Sequence, residues 1–210
     1  GKSMVEHVYN NALGAVNLLK EKDTLKNYIF EDPIVLTDSQ RICDFCIKNN
    51  INHLKTGKAD TGTDRIVSSI NTIPADIIIN LQGDEPMIGS KSISDFIKYS
   101  MNIITDKLIT TASCPLAESD ARDQNNVKVT YNKFKEVVYM SRHPIYILSN
   151  TYKRRYIKQC GLYAYKVNAL RTFYNLGFSS LESSESVELL RWIDNSYKIS
   201  CYEFQDSSVS

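Results

Sequence analysis

Neither sign of charge is in excess in this 210-residue chain: 25 Lys and Arg face 24 Asp and Glu, a formal net charge of +1. That balance offers no electrostatic footprint for a nucleic acid or an anionic membrane surface. Long apolar runs are missing too, since stretches such as Ile77–Leu81 fall far short of the ~20 residues a spanning helix needs. Gly1-Lys2-Ser3-Met4 passes directly into a helical pattern, so no secretory leader is expected. Nor do the cysteines form a framework. Cys43, Cys46, Cys114, Cys160 and Cys201 are odd in number and irregular in spacing, which points to reduced thiols and a cytoplasmic setting. Cys43 and Cys46 make a C-x-x-C pair, but a second pair and a suitably spaced histidine are lacking, so packing positions on a helix are expected of them. Repeats and low-complexity linkers are also absent, leaving a single domain over residues 1–210. What remains is 42% hydrophobic and 23% charged residues, the mix of a chain that buries a core.

Met4, Val8, Ala12, Ala15 and Leu19 recur at spacings of three and four and predict a first helix. Strand 33–36, a helix over 39–49 with Ser39 as its cap, a glycine-bearing turn, a helix beginning near Asp64, strand 77–81 and helix 93–104 follow. Apolar strands alternating with amphipathic helices predict an α/β fold, a Rossmann-like and mostly parallel sheet covered by helices. The second half reads differently, with strands at 108–114, 127–131, 136–140 and 162–165 and few helices between them. These predict a strand-rich extension, followed by helices 168–176 and 186–194 and a last strand at 198–204.

Two clusters carry chemistry. Strand 77–81 runs into Gln82-Gly83-Asp84-Glu85-Pro86, and ligands of open α/β sheets bind at the carboxyl ends of strands. A carboxylate there suits Mg²⁺, which takes one or two carboxylates with phosphate oxygens and water. Gly83 lets backbone approach a ligand, and Gln82 can hydrogen-bond a sugar or ribose. Gly83-Asp84-Glu85-Pro86 reads equally well as a solvated turn. The second cluster, Thr61-Gly62-Thr63-Asp64-Arg65, can cradle an anion or read a base edge at a helix start, with Arg65 reaching a phosphate or pyrimidine carbonyl. It can also be an ordinary cap with Thr63 as the capping residue.

Taken in order, the motifs resemble those of the 3-deoxy-manno-octulosonate (Kdo) cytidylyltransferase family. Gly1-Lys2-Ser3-Met4 stands where that family has Gly-Lys-Pro-Met, Leu36-Thr37-Asp38 where it has Ala-Thr-Asp, and Thr61 to Arg65 where it has Ser-Gly-Thr-Glu-Arg. The Asn-x-Gln-Gly-Asp-Glu-Pro-x-Ile motif is intact from Asn80 to Ile88. Asn126-Val127-Lys128-Val129, Ser141-Arg142 before Pro144, Gly161-Leu162-Tyr163-Ala164-Tyr165, and the run Leu181-Glu182, Glu185, Glu188, Leu190-Arg191 follow at matching distances.

The resemblance implies transfer of CMP from CTP to a Kdo-type sugar acid, for lipopolysaccharide or capsule assembly, by a cytoplasmic Mg²⁺-dependent homodimer. It implies Asp84 as metal ligand and, with Gln82, as catalytic residue. Gly62, Thr63, Arg65 and Asp38 fall to the nucleotide, and Arg142, Tyr163, Glu185 and Glu188 to the sugar acid, an arginine fork suiting its carboxylate. Gln159 replaces a frequent histidine and Leu189 a frequent glutamine, which leaves amino-Kdo or a sialic-acid-like substrate open. The resemblance also leads one to expect a phosphate-gripping strand and loop before Gly1 and a second metal-binding aspartate beyond Ser210. A chain without them would be close to inactive, and an inactive nucleotide-binding module is the non-enzymatic alternative.

Overall fold

The structure, a computed structural model, describes residues 3–21, 25–103, 109–148 and 153–205. Gly1, Lys2, Ile104 and Leu108, each assigned above to a motif or element, lie outside the described residues. Helix α1 (Met4–Glu21) buries Val8, Ala15, Val16 and Leu19 and packs along α4 (Ser90–Ile103), which buries Ile93, Phe96, Ile97 and Met101. A Cβ on Gly14 would lie 2.4 Å from Ser90 Oγ, so the missing side chain sets how closely the two helices meet. Between them in sequence run β1 (Val35–Thr37), α2 (Gln40–Lys48), β2 (His53–Lys55), α3 (Gly62–Ser69) and β3 (Ile77–Leu81). Strands β1 and β2 form a small parallel pair. Cys43 and Cys46 lie on the buried face of α2, and all five cysteines are buried free thiols. Ser39 stands at the N-cap of α2 without a side-chain cap bond.

The main sheet is mixed. It comprises β3, β4 (Ile109–Leu116), β5 (Lys128–Tyr131), β6 (Val137–Ser141), β7 (Ile147–Leu148), β8 (Arg154–Lys166) and β9 (Ile199–Glu203). Its axis is the 13-residue β8, which runs antiparallel between β3 and β4 and pairs with β5 and β7 nearer its start. Strand β9 lies parallel to β4. Sequence patterning places β4 and the end of β8 in an extension, whereas they form the middle of the sheet, with β9 outside β4; β5 to β7 join near the start of β8 as an arm. Residues 154–161 carry Arg154, Arg155, Lys158 and Gln159, so the apolar pattern reveals only the last third of β8.

Both faces of β8 are buried, as its period of two requires when helices cover each side. Leu162 and Ala164 join the core under α1 and α4. Tyr163 and Tyr165 face the other core, with Ile66 of α3, with Ala169, Leu170 and Phe173 of α5 (Val167–Leu176), and with Leu190 and Trp192 of α7 (Leu190–Asp194).

Of the helix predicted over 186–194 only Leu190–Asp194 is helical, and a separate short helix, not predicted, precedes it. Helix α6 (Ser180–Glu185) starts with a Ser179/Glu182 capping box and ends at Ser186, which is left-handed at φ 51°. Helix α7 begins only at Leu190. The chain breaks because Arg142 draws the carbonyls of Glu185 and Ser186 outward (Nε and NH2 donors, 2.9 and 3.0 Å). Arg191, 2% exposed, ties the pieces to α3: its guanidinium donates to both Glu182 oxygens at 2.7 Å and to Asp64 at 3.0 and 3.3 Å, stacked 3.8 Å from the Phe173 ring. Removing one partner of such a group leaves buried charge uncompensated. Arg191→Leu is expected to cost about 3–5 kcal/mol, measured as a lower urea midpoint at unchanged slope; a loss below about 1 kcal/mol, the scale of an exposed pair, would show the network contributes little.

Candidate active site

Strand β3 alternates faces, and its polar end follows from that alternation. Ile77 and Ile79 pack with the α1–α4 core and Ile78 with the α3–α5 core, which puts Asn80 and Gln82 in line with Ile78 on the α3 side. Beyond β3 the chain is clamped to β8 at Gly161. Gln82 N donates to Gly161 O at 2.8 Å, and Gly161 N donates to Glu85 Oε1 at 2.7 Å. A Cβ at Gly161 would lie 2.9 Å from Gln82 Oε1 and 3.0 Å from Gln82 Cβ and Glu85 Cγ, so only glycine admits the turn. The pairing of β4 with β8 shifts here, from Thr111↔Tyr163 to Ala112↔Cys160, a bulge that frees Gly161 for this contact. Glu85 thus holds the turn, while Asp84 is exposed and makes no hydrogen bond or ion pair among the described residues.

The α3 start faces this turn. Its cap is Thr61, not Thr63: Thr61 Oγ1 accepts from Asp64 N at 3.0 Å. Thr63 is buried and shares a hydrogen bond with the Tyr165 hydroxyl at 3.1 Å. The Thr63 amide at the helix start is met by the chain's own carboxylate, Glu188 Oε2, which accepts from Thr63 N at 2.9 Å; Glu188 Oε1 accepts from Gln82 Nε2 at 3.3 Å. Glu188 therefore takes the place an external anion would seek. Burial pushes its carboxyl up, and the hydrogen bonds from Thr63 and Thr61 only partly offset that. Tyr163, 3% exposed, accepts from Gln159 Nε2 at 3.0 Å. Burial raises its hydroxyl far above the usual value, reinforced by the negative charges of Glu188, Glu85 and Asp84.

Arg65 and Asp38 form a separate group at the edge, 3.5 Å apart, with Arg65 NH1 also donating to Thr56 Oγ1 at 2.6 Å and to Gly57 O at 3.2 Å. Arg142 and Glu185 form a third. Arg142 uses three of its five N–H donors on the carbonyls of Gln124, Glu185 and Ser186. Glu185 accepts from Arg142 N at 2.8 Å, Ser141 Oγ at 2.9 Å and Tyr139 OH at 3.3 Å. Beneath them Lys128, wholly buried, donates to the carbonyls of Asp123, Asn126 and Arg142 at 2.9, 2.5 and 2.5 Å. Burial pulls its ammonium down, against the pull of Asp123.

The structure thus gathers Gly62, Thr63, Gln82, Tyr163 and Glu188 around the end of β3, with Asp84 on the adjoining turn. It sets Arg65–Asp38 and Arg142–Glu185 apart from that group. Sequence reasoning quoted Asn80, Lys128, Gly161 and Tyr165 within motifs without giving them roles. Asn80 had a visible signal, a polar residue replacing an apolar one on a single strand face. Lys128 had none, because its three partners are backbone carbonyls. Among the described residues no three His, Cys, Asp or Glu side chains form a metal-holding cluster, while a single unshared carboxylate fits an ion completed by phosphate oxygens and water.

The sequence model of a family described as cytidylyltransferase matches residues 1–199. The chain belongs to that cytidylyltransferase family. Its curated relatives carry the name 3-deoxy-manno-octulosonate cytidylyltransferase. The protein of Escherichia coli is 32% identical over 203 residues, covering 97% of this chain and 78% of its own length. That of Koribacter versatilis is 33% identical over 201 residues, covering 95% and 71%. A solved structure of CMP:2-keto-3-deoxy-manno-octonic acid synthetase complexed with CTP superposes with a TM-score of 0.82 at 30% identity, covering 98% of this chain and 80% of that one.

Within this cytidylyltransferase the two departures noted in sequence have different surroundings. Gln159 touches Tyr163 directly. Leu189 is fully buried in the same core cluster as Trp192. Glu185 gives a pH test. Burial raises its carboxyl, but the bonds from Arg142, Ser141 and Tyr139 outweigh that and hold it below its ordinary 4.5. A depressed folded value contributes stability above the unfolded value and loses it as pH falls through the folded one. The melting temperature of Glu185→Gln should therefore lie furthest below wild type above about pH 5.5, with the gap closing in more acidic buffer. A gap that stays constant with pH would remove Glu185 from the ionised form of this network.

Proposed function

We infer that this protein activates a Kdo-type sugar acid with CTP, forming CMP-Kdo and releasing pyrophosphate. The carrying observation is the unshared Asp84 carboxylate at the carboxyl end of β3, beside the polar group of Gln82, Thr63 and Glu188, in a member of the cytidylyltransferase family. In the reaction the anomeric hydroxyl oxygen of the sugar acid bonds to the α-phosphorus of CTP, the bond from that phosphorus to the bridging oxygen breaks, and pyrophosphate leaves. The hydroxyl proton passes to solvent.

Asp84, Glu85 and Glu188 all act on Tyr163 as negative charges, so a triphosphate at this turn requires positive charge between it and the protein. Asp84 would hold Mg²⁺ there. When bound, the ion neutralises charge on the transferring phosphate and lowers the pKa of the attacking hydroxyl. Gly62 and Thr63 line the cytidine side, with Arg65 and Asp38 at its edge. Arg142 retains two N–H donors beyond its three carbonyl bonds, enough for one bidentate carboxylate, and Tyr163, Glu185 and Glu188 complete the sugar side.

Gln159 beside Tyr163 favours a second reading, amino-Kdo as the acceptor, because its side chain stays neutral where a histidine could charge. Turnover of CTP and UTP against Kdo, amino-Kdo and sialic acid decides among these, and exclusive use of a sugar 1-phosphate overturns the whole reading. Asp84→Asn is expected to lower turnover by about 100-fold or more; near-normal turnover across a Mg²⁺ titration would take Asp84 out of the mechanism.

A cytoplasmic location and supply of lipopolysaccharide or capsule assembly belong to the same reading. The five buried free thiols support the first, and no described helix is long and apolar enough to cross a membrane. A homodimer does too, with its face on the projecting arm, where Phe134, Val138, Tyr146 and Leu148 are 47–70% exposed. Val138→Asp is expected to yield monomer by light scattering, while an unchanged mass would move the interface elsewhere.

A further inference from the structure

Asn80 is 9% exposed, yet its Nδ2 has no hydrogen-bond partner among the described residues. A buried donor left in this way is costly, and one retained on a strand face signals something that pairs with it. The amide has defined surroundings. A side-chain carbon at Gly62 would lie 3.9 Å from Asn80 Nδ2, 3.7 Å from Gln82 Nε2 and 3.9 Å from Glu188 Oε1. The three groups therefore border one small volume that the missing side chain of Gly62 keeps open.

Two amide donors beside a carboxylate acceptor match a hydroxyl, which accepts and donates at once. A phosphate would meet the Glu188 charge, and an ammonium would leave both amides unpaired. We propose that the Asn80 amide donates a hydrogen bond to a substrate hydroxyl held over Gly62, beside Gln82 and Glu188. The proposal rests on the function inferred above, in which such hydroxyls belong to the ribose of CTP or to the sugar acid.

The near-isosteric Asn80→Leu variant separates a ligand-facing amide from a structural one. The purified protein without ligand should melt at the wild-type temperature or higher, because an unpaired polar group has been removed. The KM of one substrate should rise about tenfold, the worth of one buried hydrogen bond. If the ribose is the source, the rise is seen with CTP, and wild type and variant handle 2′-deoxy-CTP alike. If the sugar acid is the source, the rise is seen with Kdo. A melting temperature several degrees lower, or failure to fold, shows the amide holds the strand and overturns the proposal, as do unchanged KM values for both substrates. Should wild type turn over neither substrate, it is the inferred function that fails. The hydroxyl assignment then falls with it, an outcome distinct from unchanged KM values in an active enzyme.

Discussion

The site depends on one backbone contact, the clamp of the β3 turn onto Gly161 of β8. Pairing of β3 with β8 ends in register at Leu81↔Leu162, and the Gln82 N to Gly161 O bond carries it one step further. The return bond from Gly161 N to Glu85 then fixes the turn at its far side. Because both bonds use the backbone of one residue lacking a Cβ, the turn sits closer to β8 than any side chain would permit. Two consequences follow from geometry alone. Gln82 stays on the α3 side of the sheet, within reach of Glu188, and the neighbouring carboxylates separate in purpose: Glu85 is consumed by the clamp and Asp84 is left outward.

Glu188 joins this clamp to the helices. It bonds the α3 amide on one oxygen and Gln82 on the other, so the relative placement of β3 and α3 passes through one partly buried carboxylate. Its neighbour on the α3 first turn, Asp64, is held by Arg191 from the opposite side. Arg191 also satisfies Glu182, which caps α6. Asp64 at the start of α3 is thus paired with the buried Arg191 guanidinium, while Glu188 accepts from the helix-start amide of Thr63. An aligned helix start favours negative charge, and the chain supplies that charge itself. The α3 start is therefore better suited to hydroxyl and base-edge recognition than to gripping phosphates.

Legibility in the sequence followed the range of the interactions. The β3 strand and its turn could be read because a five-residue stretch, apolar but for Asn80, runs into Gln-Gly-Asp-Glu-Pro, a local signal. The α3 start was legible in kind but misplaced by two residues, since Thr61 and Thr63 offer the same hydroxyl and only the fold decides which is free to cap. The length and central place of β8 were hidden, because Arg154, Arg155, Lys158 and Gln159 spoil its apolar pattern while its pairing partners lie from six to about ninety residues away. The split between α6 and α7 was invisible for the same reason: it depends on Arg142, more than forty residues upstream, acting on carbonyls. Ordered motifs identified the family although single elements were wrong, because motif spacing survives such errors.

Stability and chemistry oppose each other within a few ångströms. A buried donor without a partner, as at Asn80, costs about 1–3 kcal/mol, and desolvation of Glu188 adds to that cost. The buried Arg191 and Lys128 cations, by contrast, are each held by three or more hydrogen bonds. Fully satisfied polar clusters rigidify what surrounds them, whereas half-satisfied ones loosen it. The Asn80 amide is thus left open at the end of β3, where a ligand can complete it, while Arg191 and Lys128 are completed by the chain itself. That division separates binding groups from structural ones among residues of the same type. Glu188 and Glu182 lie on one short stretch of chain, but only Glu188 borders the open volume at Gly62.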